Sequence, residues 1–518
     1  MTSDDERPDA DPSTTPDPDA SASKPGPPSD PEPAASEPKP GDAKPEPAAK
    51  PEPAESEPTP KAEPAEAEPA VKAGAVERSG AKAAEPGGTK RPAGAKPGPA
   101  AKAPARGDAK RSRTGIVIDA VTTANSFTVT LLAIVLALVV GAIVIALSDQ
   151  AVLDSTKYFF ARPGDTFSAA WHAISTAYAA LFTGSIVDPE TLNEAWWGMT
   201  SWSAVLSPIS ETLTHAAPLI GTGLAVALAF RAGMFNIGAQ GQAMMGAIGA
   251  GLVGFAVPWP PVIGVVAAVL GGLLGGGLWG LIAGWLKAKF GAHEVITTIM
   301  LNYIAAPSFV TWLVTQKGVQ QPGRNDPISK AVVPNAQLPH LFGSGLRANL
   351  AIILVVAAAL VVAWLLRRST LGFEFRAVGA NPAAARTAGI SLNRTYVLVM
   401  LFAGALAGLG GASIVLGSTP NAITPSVVGT IGFDGITVAL LGRGKPVGTV
   451  LAGLLFGALQ AGAGQMQVTS QVPIEVSTII QSLIVIFVAA PALVKAIFRL
   501  RAAGGSALGQ NLAKGWNG

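Results

Sequence analysis

Ten apolar segments between residues 127 and 497 leave this chain few folds to adopt. They cover roughly residues 127–147, 212–230, 237–257, 262–286, 294–313, 348–366, 395–417, 428–442, 446–466 and 474–497. A helix that crosses a bilayer needs about 20 predominantly apolar residues, and most of the ten reach that length. Inside hydrocarbon each backbone N–H and C=O must be satisfied within the protein, which a helix does by itself. The expected fold is therefore all-α, a polytopic membrane helix bundle of about ten spans. Residues 428–442 are too few for a full crossing and read as a half-helix or a re-entrant element.

Charge orients the bundle. With the N-terminus inside and the spans alternating, inside loops hold 14 Lys/Arg, among them Arg231, Arg367, Arg376 and Lys445. Outside loops hold 6, including Lys330 and Arg347. That asymmetry satisfies the positive-inside rule, so both termini are expected in the cytoplasm. The Ala-, Gly- and Pro-heavy composition suggests a bacterial cell, whose plasma membrane the chain would span. Two outside segments are long: residues 148–200, with an amphipathic stretch from about Asp165 to Phe182, and the Pro-, Gln- and Asn-rich residues 314–346. Either suits reception of an external protein, and either suits simple capping of the bundle.

Residues 1–113 belong to another physical class, with no aromatic residue and almost only Pro, Ala, Glu, Asp, Lys, Gly and Ser. So little apolar surface cannot offset chain entropy, and the segment is expected to be a disordered cytoplasmic tail. Its residues 1–70 hold 18 acidic against 6 basic side chains, and residues 71–113 hold 3 against 11. That basic stretch beside the membrane suits contact with anionic headgroups, or a solvated spacer. Residues 114–500 are then the transmembrane domain and 501–518 a short cytoplasmic end. The first apolar run begins near Phe127, so no cleaved leader is expected.

Several functions are disfavoured. Cysteine is absent, which removes thiol chemistry. Gly442-Arg443-Gly444-Lys445-Pro446 lacks the spacing and the Ser/Thr of a phosphate-binding loop, so no cofactor is expected on this chain. No metal-binding or nucleophile–base cluster emerges, and no basic face interleaved with aromatics points to nucleic acid. Glycines Gly271, Gly272, Gly275, Gly276 and Gly280 in one span, and Gly404, Gly408 and Gly411 in another, read as close helix packing in lipid.

One inside loop carries a short helix with both ends specified. Asn381 suits the N-cap, Pro382 the first helical position and Gly389 the left-handed residue beyond the end. Ala384, Ala385 and the other alanines leave a slim rod, with Arg386 inside it and Gly379 just ahead. A smooth rod on the basic side of a membrane domain suits a cleft on another protein.

Polar groups inside spans mark candidate pathways. Phe230 to Gln242 carries Phe235 and the amides of Asn236, Gln240 and Gln242; His293 to Tyr303 carries Thr298 and Asn302. Neutral amides bind hydroxyls and base edges without a buried charge, which suits a nucleoside or sugar. The same groups equally suit a tight turn or polar packing between helices. Asp434, flanked by glycines in the short segment, reads equally as a solute contact or a helix cap. Glu211, Glu294 and Glu475 read as groups at helix N-termini, with His215 pairing one turn after Glu211.

Together, Phe230 to Gln242, His293 to Tyr303, Gly379 to Ile390 and Gly432 to Pro446 resemble the permease subunits of bacterial ABC importers for nucleosides and simple sugars. These sit in a broader group with ribose and branched-chain amino-acid permeases, and the resemblance covers roughly residues 200–500. It implies that Gly379 to Ile390 is the coupling helix that docks on an ATPase. It also implies two permease subunits, two ATP-binding subunits that use ATP and magnesium, and an extracytoplasmic solute-binding lipoprotein. The long tail departs from the family's short N-terminus. The rivals are an ion-coupled secondary transporter, whose paired mid-membrane carboxylates are missing here, and a membrane scaffold that displays the tail.

Overall fold

A computed structural model of the protein describes residues 126–499 apart from residues 257, 259, 306 and 344. The tail at 1–113 and the residues 501–518 lie outside the described residues, as does any reading of them. Within the described residues the chain is helical, and its extended pairing is limited to isolated bridges at Gln320–Ser329 and His340–Asn349.

The first span, α1 (Ser126–Ser148), is followed by three helices: α2 (Gln150–Thr156), α3 (Pro163–Thr183) and α4 (Pro189–Trp196). α3 realises the amphipathic stretch; it buries Ala173, Ala177 and Ala180 while Phe167 and Trp171 stay exposed. The middle of the chain forms α5 (Trp202–Arg231), α6 (Ala239–Ala256), α7 (Ile263–Phe290), α8 (Glu294–Ile304) and α9 (Pro307–Val314). After the outer loop come α10 (Ala351–Arg368), α11 (Thr370–Ala380), α12 (Pro382–Thr387) and α13 (Leu392–Gly417). The chain ends in α14 (Ile431–Leu441), α15 (Pro446–Ser470), α16 (Glu475–Ala489) and α17 (Pro491–Ile497).

All ten apolar segments are helical, but not all are single helices of crossing length. Among the described residues seven helices are long and apolar enough to span a bilayer, or eight if α16 and α17, bent by 91°, count as one crossing. The two left over are α6, whose first turn carries Gln240 and Gln242, and the 11-residue α14. At ~1.5 Å per residue α14 is about 16 Å long, half of a ~30 Å hydrocarbon core. Glu211 also differs from expectation. α5 begins at Trp202, so Glu211 lies in its third turn rather than at its start. Its carboxylate takes Arg347 Nη1 of the outer loop at 2.9 Å, because the helix runs outward past the apolar window and meets that loop. Glu294 and Glu475 do begin their helices, and Glu294 is paired with Lys287.

The packing logic is glycine on glycine. A methyl at Gly246 of α6 would strike the backbone of Gly408 in α13, and one at Gly276 of α7 would strike Gly404 and Gly408. A methyl at Gly411 would meet the Ala243 carbonyl. The three helices therefore touch backbone to backbone, the closeness that small residues permit in lipid. α5 through α8, α10 and α13 share one buried cluster; α1, α3, α15 and α16 share a second, with Leu219 of α5 and Val438 of α14 reaching into it.

Candidate functional site

Where α5 ends, the chain turns at Ala232-Gly233, runs without helix through Met234, Phe235 and Asn236, and starts α6 midway along the bundle. Side-chain amides knot this passage. Asn236 Nδ2 donates to Gln242 Oε1 at 2.8 Å and Gln242 Nε2 returns the bond to Asn236 Oδ1 at 3.1 Å, both side chains buried. Asn302 of α8 accepts the Gly241 N–H at 2.9 Å and donates to the Ile237 carbonyl at 2.9 Å. Thr298 is fully buried and bonds back to the Glu294 carbonyl at 2.7 Å. Phe235 is half exposed with its ring 4.7 Å from that of Phe230. These amides are committed to the fold of the passage, since a buried polar group without a partner costs ~1–3 kcal/mol.

Gln240 ties this knot to a second broken element. After α13 the chain pairs with the outer loop through Ile423, whose N–H donates to Ser329 Oγ at 2.8 Å. It then descends without helix to Gly429, where Gln240 Nε2 donates to the carbonyl at 2.6 Å. Gln240 Oε1 accepts the Gly432 N–H at 2.9 Å, in the first turn of α14. Thr222 of α5 donates to the Ile431 carbonyl at 3.0 Å. The starts of α6 and α14 thus meet midway along the bundle, one helix running outward and the other inward. Non-helical backbone at such depth persists only where protein buries it or a polar cavity adjoins it.

That cavity exists. About 310 Å³ in volume, it is lined by His215 of α5, Thr430, Asp434 of α14, Gln460 and Ala463 of α15, and Ile474, Ser477, Thr478 and Gln481 of the α16 segment. The volume falls at the lower end of the ~300–1,000 Å³ of small-molecule sites. Asp434 Oδ2 accepts from Thr430 Oγ1 at 3.1 Å, so one hydroxyl orients the carboxylate toward the non-helical descent. Two amides and three hydroxyls supply donors and acceptors of both kinds. The wall combines α5 and α14 on one side with α15 and α16 on the other, so it lies where the two buried clusters meet. Of the pathway residues picked out from sequence, Asp434 lines this cavity and the other six gather around the α6 passage.

Gln460, Ser477, Thr478 and Gln481 were not singled out by sequence reasoning. Each is a neutral polar residue in an apolar span and belongs to no motif. The available signal was spacing: Ser477 and Gln481 stand four apart and share a helix face.

α12 has the ends its sequence specifies. Asn381 Oδ1 accepts the Ala384 N–H at 3.1 Å and Pro382 fills the first position. Gly389 takes φ +85°, its N–H reaches the Arg386 carbonyl and that of Ile390 the Ala385 carbonyl, both at 3.0 Å. This paired closure satisfies the last carbonyls of a helix. Ala385 is buried against the bundle, whereas Pro382, Ala383, Ala384, Arg386 and Thr387 face outward. Just ahead, Gly379 presses on the turn after α5, where a methyl would strike the Arg231 carbonyl. The end of α11, immediately ahead of the rod, is therefore in direct backbone contact with the turn that leads into the knotted passage.

Residues 209–489 match the family described as branched-chain amino acid transport system / permease component. The chain is 40% identical over 291 residues to the guanosine ABC transporter permease protein NupP of Bacillus subtilis, covering 56% of this chain and 83% of that one. It is 39% identical over 290 residues to the nucleoside ABC transporter permease protein NupB of Lactococcus lactis, covering 54% and 79%. With the glucose ABC transporter permease protein TsgB13 of Haloferax volcanii it shares 38% over 289 residues, covering 54% and 75%. No solved structure matches the chain. With more than half of its length matched and its broken-helix bundle in view, the chain belongs to the branched-chain amino acid transport system / permease component family and is a multi-pass membrane permease.

Proposed function

We propose that this chain is the permease of an ABC importer for nucleosides, and that solute passes the cavity at Asp434. The observation that carries the reading is the 310 Å³ chamber beside the start of α14, lined by amides and hydroxyls and a single carboxylate. Ribose hydroxyls and base edges offer the complementary donors and acceptors without a net charge. The names of the two bacterial relatives favour a nucleoside, and that of the haloarchaeal relative makes a sugar the second reading.

In this reading α12 docks on a separate ATP-binding subunit through its small outward face. Movement of the rod reaches the passage through Gly379 and Gly233, and reaches α14 through Gln240. Arg231, Arg367, Arg376 and Lys445 gather at the end of the bundle that carries α12, which supports a cytoplasmic position for that end by the positive-inside rule. A second permease subunit, an ATPase pair and an external solute-binding lipoprotein complete the importer. The test is ATP-driven uptake of radiolabelled guanosine and glucose by the complex reconstituted in vesicles. Guanosine accumulation that excess glucose leaves intact supports the nucleoside reading. Uptake of glucose alone establishes the sugar, and uptake driven by an ion gradient without ATP overturns the whole assignment.

A further inference from the structure

At the α12 end of the bundle a cleft of about 400 Å³ opens between α10 and α15. Four cations line it: Arg231 from α5, Arg367 from α10, Arg376 from α11 and Lys445 ahead of α15. No carboxylate lines the cleft, and none of the four forms an ion pair among the described residues. Arg231 is held in place by its Nε, which donates to the Gly444 carbonyl at 2.8 Å. Arg376 Nε donates to the Gly372 carbonyl at 3.3 Å. Among the described residues the chain thus fixes two guanidinium groups with neutral acceptors and pairs none of the four charges with a carboxylate. Like charges gathered in one cleft repel unless an anion joins them.

The wall above the cations is apolar and open. On α10, Leu360, Ala363 and Arg367 fall at i, i+3 and i+7, so one face carries both the cation and the exposed Leu360. On α15, Val447 lines the cleft and Leu451 continues its face one turn further, both well exposed. Both helices are long and apolar enough to cross a bilayer. A soluble anion would need the cations alone. A phospholipid needs cations at the headgroup level and a hydrocarbon seam directly above, in that order along the membrane normal. A docking protein is less well matched, because the cleft lies between two spans and the projecting rod is α12.

We propose that this cleft binds the phosphate of an anionic phospholipid whose acyl chains lie in the seam between α10 and α15. Guanidinium groups present paired donors to phosphate oxygens, and basic pockets between spans are recurrent sites for acidic headgroups. The proposal stands apart from the identity of the transported solute.

The test uses the full chain in neutral detergent, stripped of lipid, with dioleoylphosphatidylglycerol or dioleoylphosphatidylcholine added back and bound lipid counted by native mass spectrometry. The glycerol lipid should be retained in preference. The double variant Arg367→Gln with Lys445→Gln should lose that preference by about thirty-fold, at ~1 kcal/mol per basic residue near an acidic lipid. Equal retention of the two lipids by the unaltered protein overturns the proposal whether or not the variant folds. Inorganic phosphate that displaces the glycerol lipid from the cleft at millimolar concentration makes it a soluble-anion site and overturns the lipid. A photo-crosslinking side chain at Leu451 in native membranes supplies the independent arm. Labelled phospholipid supports the seam, and labelled polypeptide, a second permease copy included, overturns it.

Discussion

Gln240 and Gly432, 192 residues apart, close a two-bond clasp: Gln240 Oε1 takes the Gly432 N–H at 2.9 Å while Nε2 holds the Gly429 carbonyl at 2.6 Å. One side chain thereby satisfies both strands of the bend that starts α14. Gly432 has no side chain because a methyl there would strike the Gln240 backbone.

Replacing that clasp should loosen α14 without dissolving the bundle. Gln240→Ala strands the buried Gly432 N–H and releases the exposed Gly429 carbonyl, a loss of about 1–3 kcal/mol carried mainly by the buried donor. Uptake should fall strongly while detergent-purified protein stays monodisperse with a lowered melting midpoint. Gln240→Glu keeps the acceptor for Gly432 and loses the donor to Gly429, so its melting midpoint should fall between the two.

The glycine contacts among α6, α7 and α13 predict a harsher outcome. Gly408→Leu drives a side chain into the backbone of Gly272 and Gly276. Overpacking of a tight core costs about 1–3 kcal/mol even where neighbours can move, and backbone has little room to do so. Expression and monodispersity on size-exclusion chromatography should collapse, whereas Gly464→Ala, with nothing near its added methyl, should behave as the unaltered protein.

α12 separates docking from folding. Ala384 faces outward and Ala385 is buried. Ala384→Trp should leave the melting midpoint unchanged and prevent co-purification of the ATP-binding subunits. Ala385→Trp should destabilise the protein itself. Unchanged co-purification and uptake in Ala384→Trp would remove α12 from the drive.

Asp434→Asn keeps the size and the bond to Thr430 while removing the charge from the chamber. Guanosine uptake should fall by about tenfold or more, the order of a charge-assisted hydrogen bond worth ~1.5–3 kcal/mol. ATP-binding subunits should still co-purify, because Asp434 is remote in the chain from α12. Gln481→Leu should act in the same direction from the opposite wall.

The helical class, the span positions and the capped rod were legible because each rests on local rules. Asn381, Pro382 and Gly389 carry their roles in their own chemistry. The amides of Asn236, Gln242 and Asn302 were visible as signals, but whether they face a solute or their own backbone depends on neighbours over 60 residues away in the case of Asn302. Glu211 shows the same limit from another side. Hydropathy marks where lipid begins and not where a helix begins, so the outward extension of α5 to Trp202 left no trace in the apolar window. The far wall of the cavity was harder to read, since Gln460 and Gln481 are neutral side chains in apolar spans with no motif around them.

At the glycine contacts among α6, α7 and α13 backbone meets backbone, and there is no lubricating layer. Sliding any one of the three would drive carbonyl oxygens into α-carbons, so they form a keel that resists shear. Whatever opens and shuts must hinge beside that keel. The bare descent into α14 and the start of α16 border the chamber from opposite walls, and a cargo-sized gap can widen there while the keel stays whole.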